Sequence, residues 1–251
     1  MANYNIHFSP TGGTKKVAQI LVDALGGQWL EIDLCRIPEA MELGAEDLCV
    51  ISVPSYGGRV PGIALERLRK ICGCGAKAVL VCVYGNREWD DTLTELQDET
   101  EKLGYICAGA VAAVAEHSMF RQFAAGRPDE QDRSELVDFA SRIREKLDSG
   151  VLGTIQMPGS HGPYKPFGGG AFKPEGNDAC GGCGVCAEQC PVGAIDPENI
   201  RAVNQERCIS CMRCIAVCPN KARVRDPKVV EAVAQRLGPL LGGHKENYLY
   251  L

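Results

Sequence analysis

The sequence predicts an α/β protein: a doubly wound parallel sheet over residues 1–150, followed by a small α+β domain rich in cysteine. Three observations carry that reading. Apolar runs of strand length at 4–8, 29–34, 48–53, 78–84 and 106–114 alternate with segments of helical period, most of those runs lack a polar face, and eight of the 14 cysteines crowd into residues 180–218. Strands that are apolar on both sides belong to parallel sheets covered by helices above and below. With 251 residues and 45% apolar content, the chain can bury the core such a sheet needs.

Taken in order, the first strand "YNIHF" runs into the turn "SPTGGT" and a helix over about 14–26. Further helices are expected over about 60–72, 89–103 and 129–148, the last opening at "RPDEQD" with acidic residues in its first turn. In a doubly wound sheet the ligand sits beyond the carboxyl ends of the strands, so the informative loops are 9–14, 54–59, 84–90 and 115–127. In the first, the N–H groups of a helix start meet the hydroxyls of Ser9, Thr11 and Thr14, with Gly12 and Gly13 making the turn. That arrangement suits an anion. It lacks the Lys-Ser/Thr ending of a triphosphate loop and the G-x-G-x-x-G of a dinucleotide site, which favours a phosphomonoester; the competing reading is a plain helix cap.

The second loop, "PSYGGRVPG", offers Tyr56 beside Gly57 and Gly58, and the third, "YGNREWDD", offers Tyr84, Gly85, Asn86, Arg87 and Trp89. Aromatic side chains at the mouth of a sheet can stack on a flat ring, and glycines let backbone approach it; the competing reading for Tyr56 and Trp89 is core packing. A planar ring tethered to a phosphate satisfies all three loops. The fourth loop carries His117, a candidate proton donor or substrate anchor because an unperturbed imidazole titrates near neutrality. A structural histidine is the other reading.

These loops resemble those of flavodoxins: S-x-T-G-x-T after the first strand, P-x-Y-G-G after the third, Y-G-N-R after the fourth. The resemblance covers roughly residues 1–150 and implies FMN on a flavodoxin-like sheet of strand order 2-1-3-4-5. It implies that Ser9, Thr11, Gly12, Gly13 and Thr14 hold the phosphate, while Pro54, Ser55, Tyr56, Gly57, Gly58 and Tyr84 to Arg87 line the ring system. It also implies that the Gly57-Gly58 peptide can turn its carbonyl toward the flavin N5.

Residues 180–191 read C-x2-C-x2-C-x3-C-P, and residues 208–219 repeat the pattern 28 positions later. Thiolates suit iron–sulfur clusters, and in this motif the fourth cysteine serves the other cluster. Cys180, Cys183, Cys186 and Cys218 are therefore expected to hold one [4Fe-4S] cluster, and Cys208, Cys211, Cys214 and Cys190 the second. Structural zinc sites use separated cysteine pairs instead. The region 177–226 resembles a bacterial two-cluster ferredoxin, too poor in apolar residues to fold well without its metal. The remaining thiols, Cys35, Cys49, Cys72, Cys74, Cys82 and Cys107, are expected to be buried and inert.

A glycine- and proline-rich linker (151–176) joins the domains, and its aromatics Tyr164, Phe167 and Phe172 suggest that it lies on a surface. The last 25 residues, 227–251, open with a helical period and end in the apolar "NYLYL"; both segments are expected to pack on the first domain. As a whole the chain resembles the flavodoxin–ferredoxin fusion proteins of anaerobic bacteria, through the "EHS" loop with "AAGRPD", the "PYKP" linker and the paired cysteine motifs.

A net charge of −5 without a basic stripe argues against nucleic acid, and no apolar run reaches membrane-spanning length. With no export signal at the start of this sequence, a cytoplasmic location is expected. Clusters pass electrons singly, whereas a flavin exchanges one or two, so the expected function is an FMN- and iron–sulfur-dependent oxidoreductase serving redox partner proteins or a small-molecule acceptor. The alternative is a diffusible electron carrier with no substrate chemistry of its own. A first domain that supports the clusters without flavin is the third reading.

Overall fold

A computed structural model describes residues 2–166, 170 and 172–251; the linker aromatic Phe167 lies outside the described residues. The chain opens with β1 (Asn3–His7), α1 (Gly13–Leu25) and β2 (Trp29–Asp33). A two-residue strand β3 (Met41–Glu42) precedes β4 (Leu48–Pro54) and α2 (Gly62–Leu68). Then come β5 (Ile71–Cys72), β6 (Lys77–Tyr84), α3 (Thr92–Lys102), β7 (Ile106–Val114) and α4 (Glu130–Ser149).

The main sheet runs β10-β7-β6-β4-β1-β2, where β10 is Tyr248–Tyr250 at the end of the chain. Its five long strands are parallel, and in order of appearance they stand 2-1-3-4-5. The short β3 and β5 pair only with each other. Alternating residues of the central strands face opposite layers. Ile51, Leu80 and Cys82 join Phe8, Leu65, Leu68, Leu93 and Leu96 on one side. Val50, Val79, Val81 and Val83 meet Val17, Leu21, Leu136 and Ile143 of α1 and α4 on the other.

The helix expected over 60–72 stops at Leu68, because Ile71 is fully buried and its backbone extends to pair with Met41. The helix expected from 89 begins at Thr92; Asp90, with φ of 43°, spends the intervening residues on a turn. The apolar ending becomes an edge strand, β10, whose Leu249 pairs antiparallel with Val111.

Residues 155–164 of the linker lie along α3. Ile155 is buried, Ser160 donates from its backbone to Asp91 at 2.9 Å, and the Tyr164 hydroxyl donates to Asp98. Arg59 sits 4.8 Å over the Tyr164 ring. Beyond it, β8 (Glu175–Gly176) and β9 (Arg223–Val224) pair around two four-residue helices, α5 (Val185–Glu188) and α6 (Arg213–Ala216). The helix α7 (Pro227–Leu241) then leads back to β10.

The cysteine domain is an internal repeat with unequal halves. Left-handed backbone recurs 28 residues apart at Gly182 and Ser210, Gly184 and Met212, and Gly193 and Lys221. The first half uses glycine at each position and the second does not. Such backbone strains a residue with a side chain. Two of those side chains build the interface: Met212 is buried against Phe120, Phe172 and α7, and the Ser210 hydroxyl donates to the Gly170 carbonyl at 2.8 Å.

The expectation of six buried, inert thiols is corrected at two of them. Cys35, Cys49, Cys82 and Cys107 are buried, but Cys72 is half-buried and Cys74 exposed, because the chain turns outward after β5.

Candidate functional site: a shared cavity and two thiol cages

A cavity of about 280 Å³ opens beyond the carboxyl ends of the parallel strands. Thr11, Gly13 and Thr14 line it from the first loop, Pro54, Ser55, Tyr56 and Gly57 from the second, and Tyr84, Gly85 and Arg87 from the third. His117 and its neighbours Ala115 to Phe120 close the fourth side. The rest of the wall comes from elsewhere in the chain: Gly170 of the linker, Ile209 and Ser210 between two motif cysteines, and Leu237 and Leu241 of α7.

Each wall has a local cause. Gly12, with φ of 94°, turns the chain into α1, and the Ser9 hydroxyl accepts the Lys15 N–H at 2.9 Å. The helix start thus faces the cavity, and its first N–H groups have no intrahelical acceptors. In the second loop Tyr56 and Arg59 exchange backbone hydrogen bonds at 2.9 and 3.3 Å across Gly57 and Gly58, whose φ angles are 61° and 81°. Two consecutive positive φ values are the signature of a tight hairpin turn that glycine suits. A Cβ on Gly58 would strike Asp90, so that glycine serves packing, while Gly57 faces the cavity.

Asn86 and Trp89 are placed away from the cavity lining. The Asn86 amide donates to the carbonyls of Leu241 and Gly243 at 2.6 and 2.9 Å, and Trp89 is buried between Tyr84 and Tyr248, with ring centroids 5.0 and 5.3 Å away. Both fasten the tail to the sheet. Arg87 lines the cavity while paired with Asp90, and the Tyr84 hydroxyl donates to the Glu246 carbonyl at 2.6 Å.

His117 reaches the cavity, where its surroundings set its protonation. Burial holds its pKa down at about 4, and Nδ1 accepts the N–H groups of Met119 and Phe120 at 3.1 and 3.3 Å. The ring is neutral at neutral pH, with its proton on Nε2. It can donate a hydrogen bond there.

The motif cysteines form two adjoining groups. Cys180, Cys183, Cys186 and Cys218 line one small cavity, together with Gly181, Gly184 and Ala222. Burial raises the Cys214 thiol to about 12 and Cys211 higher still, with Cys190 and Cys208 adding to both. Cys186 of the first cage also acts on Cys214, so the two groups of thiols adjoin. Backbone N–H groups four residues on donate to the fourth sulfur of each motif, Ala194 to Cys190 and Ala222 to Cys218, both at 3.2 Å. Among the described residues no three His, Cys, Asp or Glu side chains are gathered tightly enough for a single ion. Eight thiols in two motifs, soft donors four to a cage, are a donor set that suits two four-iron clusters.

Comparison with known proteins gives one family match and several likenesses. Residues 179–222 match the family described as "4Fe-4S dicluster domain". Over 44 residues the chain is 46% identical to a component of the ion-translocating oxidoreductase complex of Methanosarcina acetivorans, a match spanning 17% of each protein. Among solved structures, oxidised flavodoxin 1 from Bacillus cereus overlaps 58% of this chain and 98% of its own, with a TM-score of 0.42 and 14% identity. Rubredoxin oxygen:oxidoreductase from Desulfovibrio gigas overlaps 58% of this chain and 37% of its own, with a TM-score of 0.43 and 13% identity. The strand order 2-1-3-4-5 carries the flavodoxin-like fold independently of those overlaps.

The chain joins a flavodoxin-like fold to a segment, 179–222, that matches the 4Fe-4S dicluster domain family.

In this fusion the two parts meet through polar anchors as well as apolar packing. Arg213 of α6 reaches the Pro10 carbonyl and the Gln189 side chain at 3.4 and 3.0 Å. Arg67 of α2, buried, donates to the carbonyls of Leu34 and Pro191, the latter next to Cys190. Arg225 donates to the Met119 carbonyl at 2.6 Å, and Phe120 meets Phe172 edge-on. Sequence reasoning missed Ile209, Ser210, Leu237 and Leu241 as site residues. The i, i+4 spacing of the two leucines marks a helix face but not its target, and nothing local marks the other two. Among the described residues no helix of the fusion is long and apolar enough to cross a membrane.

Proposed function

We propose that this chain is an electron-transfer oxidoreductase in which FMN occupies the shared cavity and two [4Fe-4S] clusters occupy the thiol cages. One observation carries the reading: Ile209 and Ser210, flanked by Cys208 and Cys211, form part of the same wall as Tyr56 and Gly85. The second cage therefore adjoins the flavin-type loops. Bound there, FMN supplies exchange of one or two electrons with a substrate or redox partner.

The chain's own residues supply placement. Thr11, Gly13 and Thr14 with the start of α1 suit the phosphate; Tyr56, Gly57, Tyr84 and Gly85 suit the ring system; Leu237 and Leu241 exclude water. Tyr56 stands beside both halves: it lines the cavity, and burial, then the neighbouring Cys211 and Cys35, push its phenol well above its ordinary value. The cage of Cys180, Cys183, Cys186 and Cys218 includes the exposed Cys183, which makes it the port for an external electron partner. His117 lines this cavity, whereas Trp89 is packed outside it and Arg121 is exposed and paired with Glu116.

Anaerobic purification should yield one FMN and the iron and sulfide of two four-iron clusters per chain. After rapid reduction of the clusters, flavin reduction should follow at a rate independent of protein concentration. A rate that scales with concentration would mean transfer between molecules, and the coupled reading would fail.

A further inference from the structure

Away from this site, at the amino-terminal end of β6, the chain presents a second arrangement of sulfur. Cys72 ends β5, and two residues later Cys74 stands exposed on left-handed backbone with φ of 47°. Their sulfurs are 2.7 Å apart, already in contact. The turn that holds them is pinned by its neighbours. Gly73 donates to the Leu103 carbonyl at 2.8 Å, Gly75 to that of Gly104 at 2.7 Å, and Ala76 to that of Gly73 at 2.8 Å. A Cβ on Gly73 would lie 2.5 Å from the Tyr105 ring, so only glycine lets the turn close against that wall.

The geometry points to a reversible dithiol–disulfide site at Cys72 and Cys74, taking a low-molecular-weight disulfide as its oxidant. The exposed Cys74 loses its proton and attacks one sulfur of the incoming disulfide; that bond breaks and the first thiolate departs with the electron pair. Cys72, deprotonated in turn, attacks the Cys74 sulfur of the mixed disulfide and expels the second thiolate. The two protons lost by the cysteines end on the two released thiols, so the protein loses two electrons and the small disulfide gains them. Because the sulfurs already lie side by side, the second step needs only a small closure to bonding distance, and the mixed disulfide should not accumulate. The site lies at the end of the sheet opposite the cavity and does not depend on the function proposed above.

The test is direct because Lys70 and Lys77 bracket both thiols in one tryptic peptide, 71–77, with no other cysteine. The holoprotein is equilibrated anaerobically with mixtures of reduced and oxidised glutathione, blocked with iodoacetamide, digested and weighed. Peptide 71–77 should become two hydrogens lighter and resist alkylation, return to the dithiol with excess reduced glutathione, and react at least about tenfold faster than the buried Cys49 and Cys82. Cys72→Ser should trap glutathione on Cys74. Full alkylation of the native peptide in every mixture, or a persistent glutathione adduct on native Cys74, overturns the assignment.

Discussion

His117 and Gly85 show how closely the cavity is tailored. A Cβ placed on Gly85 would lie 2.9 Å from two carbons of the His117 ring, so the two residues define one edge of the cavity between them. Gly85→Ala should push the imidazole inward and weaken flavin retention by about tenfold or more while iron content stays unchanged, read from extracted flavin and iron on one sample; a ring displaced by roughly half an ångström loses its contacts steeply. The buried imidazole also fixes a sign. Its pKa of about 4 lies below the usual histidine value, so unfolding takes up a proton between those two pH values. The contribution of His117 to stability is therefore complete above about 6.5 and is lost as pH falls toward 4. Across neutral pH the side chain does not titrate. His117→Gln should leave the pH profile of electron transfer unchanged between about 6 and 8, and disappearance of a limb in that range would restore proton transfer to this residue.

The C-terminal segment acts as a clamp. Asn247 is buried, accepts the Val114 N–H at 2.9 Å and donates to Asp132 and Glu135, both at 2.8 Å. Arg127 pairs with Asp132 and donates to the Lys245 carbonyl, and Asn86 holds the end of α7. The cavity wall formed by Leu237 and Leu241 thus depends on polar contacts outside the cavity. Asn86→Ala should cost about 1–3 kcal/mol and raise amide exchange across 241–250. Unchanged exchange there would show that β10 pairing alone holds the tail.

For the whole molecule the expected consequence concerns metal. The sheet has a large core of its own, whereas the cysteine domain is organised by short helices and two-residue strands around its cages. Chelation of iron should unfold 177–226, detected as new proteolysis within that segment, and leave the sheet's thermal transition in place. Loss of both units together would show that the interface through Phe120, Phe172 and Met212 couples them into one cooperative body.

Local chemistry was enough to read the five parallel strands, the loops at their carboxyl ends and the doubled cysteine motif. Strand burial imposes apolar runs, helix starts impose capping residues, and thiolate ligation imposes spacing. Packing decided the rest. Asn86 and Trp89 sit in a loop of the right kind yet serve the tail, because the direction of a side chain depends on what arrives from the far end of the chain. Tertiary structure alone brought Ile209, Ser210, Leu237 and Leu241 to the cavity and set Cys74 in the open beside Cys72. Contacts between residues distant in the chain leave no period or motif in the sequence, only a surface whose partner appears on folding.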